Sequence, residues 1–308
     1  MNYISTDSGT VINMLDISII IPTGCETSRC EVLNRSIDSV LSQKGVALEL
    51  ILVLNGPRVD DQVAEQLHQH ANIRIIRLPD GNVSLARLAG IRAVRGELFC
   101  FLDDDDEFLS GALKIRVSTM RSIRDADVVV TNGLIREIED QPMVSEAFAK
   151  DIKANLPKSI LKINWFASAA STFRKAAIEE SLFDFPYRYF EWTFLFFSLI
   201  ANKKNLLYIH NITYRKYENT PLSVSKSDAY LLSCPSVLLD VLRLPISIPL
   251  KTGVKRKLCS ALNAVSKLHR RRNEFLSAWI SHLRCLKYGG WRFAPYTWTL
   301  MRGLFSAN

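Results

Sequence analysis

The chain has 308 residues, room for one large or two modest domains with a substantial core, and its 48% hydrophobic and 23% charged residues exclude a disordered or low-complexity class. The net charge of +8 is unevenly placed: thirteen Lys/Arg face the single acid Glu274 from Arg243 to the end, so that stretch carries +12 and residues 1–242 carry −4. A tail of that sign calls for an anionic partner, whether lipid, nucleic acid or a phosphorylated substrate. The six cysteines form no C-x-x-C pair and are too sparse for a disulfide scaffold, which makes a reducing, cytoplasmic setting the default expectation. The N-terminus lacks the basic-then-apolar pattern of a signal peptide, and no apolar run is long enough to span a bilayer.

Along the chain, Ile17 to Ile21 reads as a strand stopped by Pro22. Cys30 to Gln43 has apolar residues at Val32, Leu33, Ile37, Val40 and Leu41, a helical period. Leu48 to Leu54 is a strand closed by Asn55-Gly56-Pro57, Val59 to His70 a helix, and Ile73 to Leu78 a strand. A helix from Ser84 to Val94 precedes the strand 98–102. A helix from Ser110 to Arg121 then precedes the strand Asp127–Thr131. Residues 132–160 are less regular, and Asn164 to Lys175 is rich in small residues around Trp165. Phe190 to Ala201 reads as a very apolar helix, Leu206 to Tyr214 as a strand, and 228–305 as helices broken at Pro235, Pro245, Pro249 and Gly289-Gly290. Strands alternating with helices through short links predict an α/β fold with a mostly parallel sheet flanked by helices. Two domains are expected, 1–225 and a basic, largely helical region over 226–308.

The most informative segment is Asp103-Asp104-Asp105-Asp106-Glu107, directly after the apolar run Leu98 to Leu102. The acids leave a buried strand of an open sheet, where α/β proteins bind ligands. Four adjacent carboxylates repel one another unless a cation is present, and Mg²⁺ takes one or two carboxylates together with substrate phosphates. A metal–diphosphate site is the sharp interpretation; a solvated acidic loop is the plain one.

Several segments together resemble family 2 of the inverting nucleotide-sugar glycosyltransferases, which have the GT-A (Rossmann-like) fold. Ile19-Ile20-Ile21-Pro22-Thr23 is similar to the family's first strand and nucleotide-contacting turn, and Ser36 to Gln43 to its first helix. Glu49 to Gly56 is similar to its second strand and turn. Ala86-Arg87-Leu88-Ala89-Gly90 with Arg95-Gly96-Glu97 resembles the helix before the acidic element, and Phe101 to Asp106 matches D-x-D-D. Phe183-Asp184 and Phe190-Glu191-Trp192 resemble the acceptor-side segment, and Tyr214 to Tyr217 with Ser223-Val224-Ser225 the closing loop. The resemblance runs over the first 220 residues.

That resemblance implies a metal-dependent inverting glycosyltransferase using a nucleotide diphosphate sugar, by default a UDP-sugar, with a Mn²⁺ or Mg²⁺ cofactor. It implies that Asp105 binds the metal, that Thr23, Asn55, Arg87 and Asp103 bind the nucleotide, and that Glu191 is the base. Trp165 and Trp192 are acceptor-side candidates, and Arg215, Tyr217, Ser223 and Ser225 form the diphosphate loop. The family's usual Asp-Asp before the second-turn glycine is here Leu54-Asn55, its Glu-Asp pair is Phe190-Glu191, and Tyr217 stands where His is frequent. Two other classes remain open: a phosphoryl-transfer enzyme with a strand-end D-x-D, and a non-catalytic sugar-nucleotide or glycan-binding module.

Basic residues of the tail alternate with Trp279, Trp291, Trp298 and aliphatic neighbours. This pattern fits helices lying on an anionic membrane face, and equally helices packed on the catalytic domain with solvated Lys and Arg. No nucleic-acid motif accompanies the charge. The expected partners are therefore a nucleotide-sugar donor and a glycan or lipid-linked acceptor, with peripheral attachment to the inner face of the cell membrane.

Overall fold

The computed structural model describes residues 3–4, 12–13, 15–68, 72–218 and 227–305. They fall into two compact units: Met1–Leu156, Asn164–Arg188 and Lys203–Asn219 form the first, and Pro157–Ile163, Tyr189–Asn202 and Thr220–Asn308 the second. Strands β1 (Tyr3–Ile4) and β2 (Ile12–Asn13) pair with each other. Next come β3 (Ile17–Thr23), α1 (Cys30–Leu41), β4 (Leu48–Asn55), α2 (Asp61–His68), β5 (Ile73–Leu78), α3 (Val83–Ala93) and β6 (Leu98–Phe101). They are followed by β7 (Glu107–Phe108), α4 (Ala112–Ser122), β8 (Val128–Arg136), β9 (Asp140–Pro142), α5 (Glu146–Ala154), α6 (Leu156–Ser159) and β10 (Ser171–Arg174). Last are α7 (Glu191–Ala201), β11 (Leu206–Tyr217), α8 (Asp228–Arg243), α9 (Ile248–Arg271), α10 (Phe275–Lys287) and α11 (Tyr296–Phe305).

The first unit is built on a nine-stranded sheet in the order β5-β4-β3-β6-β10-β8-β11-β7, with β9 added to β8. β5, β4, β3 and β6 are parallel. β10 is antiparallel to both β6 and β8, and β11 runs parallel to β8. A run such as Ile17 to Ile21, buried at every residue, suits a central strand covered on both faces. The chain moves outward from β3 to β4 and β5, then returns to place β6 on the other side of β3. That reversal opens a crevice at the carboxyl ends of β3 and β6, where open α/β sheets bind ligands. Pro22 helps create it. The register of β3 with β6 ends at Ile20↔Phe101, and Pro22, with no N–H to donate, lies just beyond.

Tight contacts fix this central region. Ser18, buried in β3, donates to Glu49 Oε1 at 2.6 Å and accepts from the Gly96 N–H at 2.9 Å. Gly96 has no alternative there: a Cβ would sit 2.8 Å from the Ile17 carbonyl carbon and the Ser18 nitrogen. Phe99 and Phe173 stack at 5.0 Å, and Phe101 and Phe183 meet at 5.6 Å, forming an aromatic cluster beneath the acidic turn. α1 turns Leu33, Ser36, Ile37 and Val40 inward, the face its sequence period predicts. Asn82 caps α3, its side chain accepting from the Ser84 and Leu85 N–H groups.

Some elements depart from the sequence expectation. β8 continues to Arg136 where an irregular segment was expected. Gly133 hides its pattern, yet the glycine is required because the Tyr214 ring lies over it, 2.3 Å from where a Cβ would stand. β10 is a strand because it fills the gap between β6 and β8, a pairing with no local signature.

The second unit is helical. α9 and α10 pack antiparallel: Ser266 Oγ donates to the Ala278 carbonyl at 2.6 Å, and Cys285 Sγ to the Cys259 carbonyl at 3.2 Å. Leu250, Val254, Leu258, Leu262 and Val265 make the buried stripe of α9. Ser227 caps α8 by accepting from the Tyr230 N–H. The described cysteines are all free thiols, and no described helix is long and apolar enough to cross a membrane.

Candidate active site

The four acids form a turn directly after β6, in the crevice at the end of β3. The Asp106 N–H donates to the Asp103 carbonyl at 3.1 Å. Each carboxylate has different surroundings. Asp103 Oδ2 accepts from Ser168 Oγ at 2.9 Å. Asp104 accepts from Thr23 Oγ1 at 2.7 Å and from Arg29 Nη2 at 2.6 Å. Asp105 Oδ2 lies 3.2 Å from the same Arg29 nitrogen, and its carbonyl accepts from Arg35 Nη2 at 2.5 Å. Asp106 is 3% exposed; its Oδ1 accepts from the Tyr217 N–H at 3.3 Å and its carbonyl from Ser36 Oγ at 2.5 Å.

The crowding shows in the protonation equilibria. Burial raises the Asp105 carboxyl above its usual range, the charges of Asp103 and Asp104 raise it further, and Arg29 opposes them. Burial raises Asp106 more strongly, reinforced by Asp103 and Asp105 and opposed by Lys216 and the Tyr217 N–H. The turn thus offers hard oxygen donors with surplus negative charge. Among the described residues no three His, Cys, Asp or Glu side chains are arranged to hold an ion by themselves. A Mg²⁺-type ion does not need three, since it binds through one or two carboxylates plus phosphates and water. The donor chemistry of Asp103 and Asp105 therefore suits a divalent cation that arrives with a diphosphate.

A second set of contacts ties the β11 segment to this turn. Arg215 binds Asp140 through Nε and Nη2 at 2.7–3.1 Å and also pairs with Glu107. The Tyr217 hydroxyl donates to Glu107 Oε1 at 3.1 Å, and the Arg35 guanidinium stacks 3.8 Å over the Tyr217 ring. Arg215 and Tyr217, assigned to the diphosphate loop by resemblance, are thus neighbours of the acidic turn through Asp106 and Glu107. Ser223 and Ser225 lie outside the described residues.

The remaining candidates are scattered by environment. Asn55 ends β4 on the same sheet edge, and its Oδ1 accepts from the Asn82 N–H at 3.0 Å. Arg87 is buried on α3. Trp165 is 1% exposed, its ring set edge-on to Phe166 at 6.4 Å and Tyr208 at 5.5 Å. It is a packing residue rather than an open platform for a sugar, because its apolar area is worth more inside the core. In the second unit, Glu191 is the first residue of α7, following Phe190 in a left-handed conformation with φ 60°. The Phe190 ring lies 4.1 Å from that of Tyr230, and Trp192 follows, half-buried.

Sequence inspection alone missed Arg29, Arg35 and Ser168, and gave Glu107, the last residue of the acidic run, no role of its own. Each acts through a partner far away in the chain, and nothing local marks such a pairing. Beneath the turn, Arg116 is fully buried. It donates to Thr213 Oγ1 at 2.6 Å, Thr131 Oγ1 at 3.1 Å and the Ala169 carbonyl at 2.5 Å, one residue from Ser168.

The buried charge of Asp106 gives a testable consequence. Its folded-state pKa is raised, so folding loses stability as pH climbs through it. Asp106→Asn keeps an acceptor for the Tyr217 N–H and removes the charge. We expect a thermal midpoint higher by a few degrees at neutral pH, since each kcal/mol moves a domain of this size by roughly 2–4 °C. The gain should vanish below the unfolded carboxylate pKa of about 3.9. Thermal unfolding of both proteins from acid to neutral pH measures it; a lower midpoint at neutral pH would count against the buried-charge account.

Comparison with known proteins agrees with this geometry. Residues 18–182 match the model for Glycosyl transferase family 2. The chain is 35% identical over 99 residues to the uncharacterized glycosyltransferase EpsJ of Bacillus subtilis (strain 168), covering 32% of this chain and 28% of EpsJ. It is 28% identical over 188 residues to the GalNAc(5)-diNAcBac-PP-undecaprenol beta-1,3-glucosyltransferase of Campylobacter jejuni, covering 56% of this chain and 55% of that protein. The chain spans between 23% and 55% of the length of the curated relatives it matches. Among solved structures, S. aureus TarS 1–349 in complex with UDP-GlcNAc superposes with a TM-score of 0.63 at 14% identity, over 88% of this chain and 80% of that one. The family match runs from β3 through the acidic turn to β10 and covers more than half of the 308 residues, and so the chain belongs to glycosyltransferase family 2, on a GT-A fold.

Proposed function

We propose that this glycosyltransferase is metal-dependent and inverting, and that it moves a sugar from a nucleotide diphosphate, UDP first among those to test, to a glycan or lipid-linked glycan. The observation that carries the proposal is the crowded acidic turn Asp103–Asp106 at the reversal of strand order. The TarS structure with UDP-GlcNAc and the undecaprenol-linked glycan in the name of the Campylobacter enzyme guide the choice of probes.

In this scheme Asp105 would hold the divalent ion, with Asp103 beside it on the ion or the ribose. The bound ion would supply positive charge to the departing diphosphate. The acceptor oxygen bonds to C1 as the C1–O bond to phosphate breaks, and the nucleoside diphosphate leaves with the electron pair. Glu191 takes the hydroxyl proton late in that step. A carboxylate is a weak base and accepts that proton best once the oxygen has begun to bond.

The second unit supports a membrane-facing role for the tail. Leu276, Ile280 and Leu283 are exposed by 76%, 48% and 56% and recur at i, i+4 and i+7 on α10, with Trp291 and Trp298 both 69% exposed beyond them. Exposed Arg284, Lys287, Arg292 and Arg302 lie among these residues in the chain. Apolar and aromatic side chains with interspersed cations match an anionic lipid interface, where each Lys or Arg adds roughly 1 kcal/mol.

Three outcomes check these proposals. Asp105→Ala should abolish turnover and the Mn²⁺-dependent rise in thermal midpoint with UDP while the fold is retained; full activity in excess chelator would rule out the metal. Glu191→Gln should lower kcat by roughly 10²-fold or more with donor affinity nearly unchanged; turnover within a few-fold of wild type would move the role to another carboxylate, Asp184 first. Cosedimentation with phosphatidylglycerol vesicles should be strong at low salt, weak on neutral lipid, and weakened by Leu276→Ser/Leu283→Ser; equal binding by that variant would remove α10 from the interface.

A further inference from the structure

Arg29 reaches the side chains of two acids of the turn, Asp104 and Asp105, the second of them assigned above to the divalent ion. It sits on the short 3₁₀ turn Thr27–Arg29 that leads into α1. A single nitrogen, Nη2, is shared between Asp104 Oδ1 at 2.6 Å and Asp105 Oδ2 at 3.2 Å. Its other guanidinium nitrogens make no hydrogen bond among the described residues. Its side chain is 36% exposed, whereas those of Asp104 and Asp105 are 14% and 24% exposed, so it approaches the acids from the solvent side.

Arg35, six residues on, is held quite differently. It binds a backbone carbonyl, that of Asp105, lies over the Tyr217 ring, and approaches Glu107 at 3.9 Å. Three separate contacts fix it as part of the scaffold. Arg29 has one point of attachment, and that point is the pair of carboxylates themselves.

A guanidinium beside Asp105 serves the electrostatic purpose a divalent ion would serve, and the two cations repel one another at that distance. An ion arriving on Asp105 is therefore opposed by Arg29 and favours its departure. The freed guanidinium carries five N–H donors in a planar fork, which suits the oxygens of a diphosphate better than those of a single carboxylate. It is released at the place where, on the donor-site proposal above, that diphosphate lies.

We propose that Arg29 is a resident counter-cation of the acidic turn that gives way to the divalent ion and then binds the donor diphosphate. It thereby makes metal and nucleotide bind with positive coupling. This rests on the donor-site proposal. In the absence of nucleotide, Arg29 competes with the ion and keeps its affinity low. With nucleotide present the competitor becomes a ligand-binding group, and each partner improves the site for the other, as linkage requires.

The test measures binding, not turnover. Titration calorimetry of the intact protein with Mn²⁺ alone, UDP alone, and each in the presence of the other gives the coupling factor. For the wild type we expect weak Mn²⁺ binding alone and a coupling in the usual range of roughly 5–150-fold. Arg29→Ala should bind Mn²⁺ alone about tenfold more tightly, bind UDP less tightly in the presence of Mn²⁺, and show a coupling reduced by about tenfold or more. Arg29→Lys keeps a charge but loses the planar fork; it should leave the weak binding of Mn²⁺ alone unchanged and still weaken UDP in the ternary complex. Unaltered far-ultraviolet circular dichroism establishes that both variants fold. If Arg29→Ala binds Mn²⁺ alone no more tightly than the wild type, or retains the full coupling, the counter-cation role is wrong while the donor site stands. If the wild type binds neither UDP nor Mn²⁺ in any combination, the donor-site proposal fails and takes this one with it.

Discussion

Everything distinctive about this molecule follows from placing four like charges on consecutive residues where a buried strand ends. Solvent alone does not relieve that repulsion, because burial raises Asp105 and Asp106 and their neighbours raise them further. The first unit meets it with a ring of donors: Ser168 on Asp103, Thr23 and Arg29 on Asp104, Tyr217 on Asp106, and Arg35 on the backbone. These come from β3, the turn leading into α1, α1 itself, β11 and the segment before β10. The turn is therefore the point where the two halves of the sheet meet.

The architecture is largely legible in the sequence because its elements announce themselves locally. Leu50 to Leu54 is apolar without interruption and Ile17 to Ile21 apolar but for Ser18 because both faces are covered, and α1 shows its inner face at every third or fourth residue. What escapes is non-local. Gly133 in β8 breaks the strand pattern and reads as irregular chain, although the ring of Tyr214, far along the chain in β11, is what demands it; nothing near position 133 carries that information. β10 has only four residues and is a strand because of what lies on either side of it.

The candidate site divides in the same way. Asp103 and Asp105 stand out as a run of acids after an apolar strand, and no alignment is needed to suspect them. Arg29 and Arg35 look like ordinary basic residues at a helix start, and only folding brings them to the acids. Trp165 shows the reverse error: an aromatic suited to a sugar contact is spent on the core. Polar burial is likewise invisible beforehand. Arg116 reads as a helix-surface cation but lies fully enclosed among Thr131, Thr213 and the Ala169 carbonyl, with burial working against its charge.

The position of β10 has a consequence for how the chain is made. Residues up to Phe101 contain all four strands of the parallel half, each beside a partner already synthesised. β8 follows soon after, yet its link to that half is β10, which emerges more than thirty residues later, and its parallel partner β11 comes later still. During translation, then, β6 presents an unpaired edge at the very strand that leads into the acids. Such an edge invites pairing with another nascent chain. The charges that burden the finished fold sit at the end of this edge, where they would repel an identical chain approaching in register, and so guard the protein before it has a site to serve.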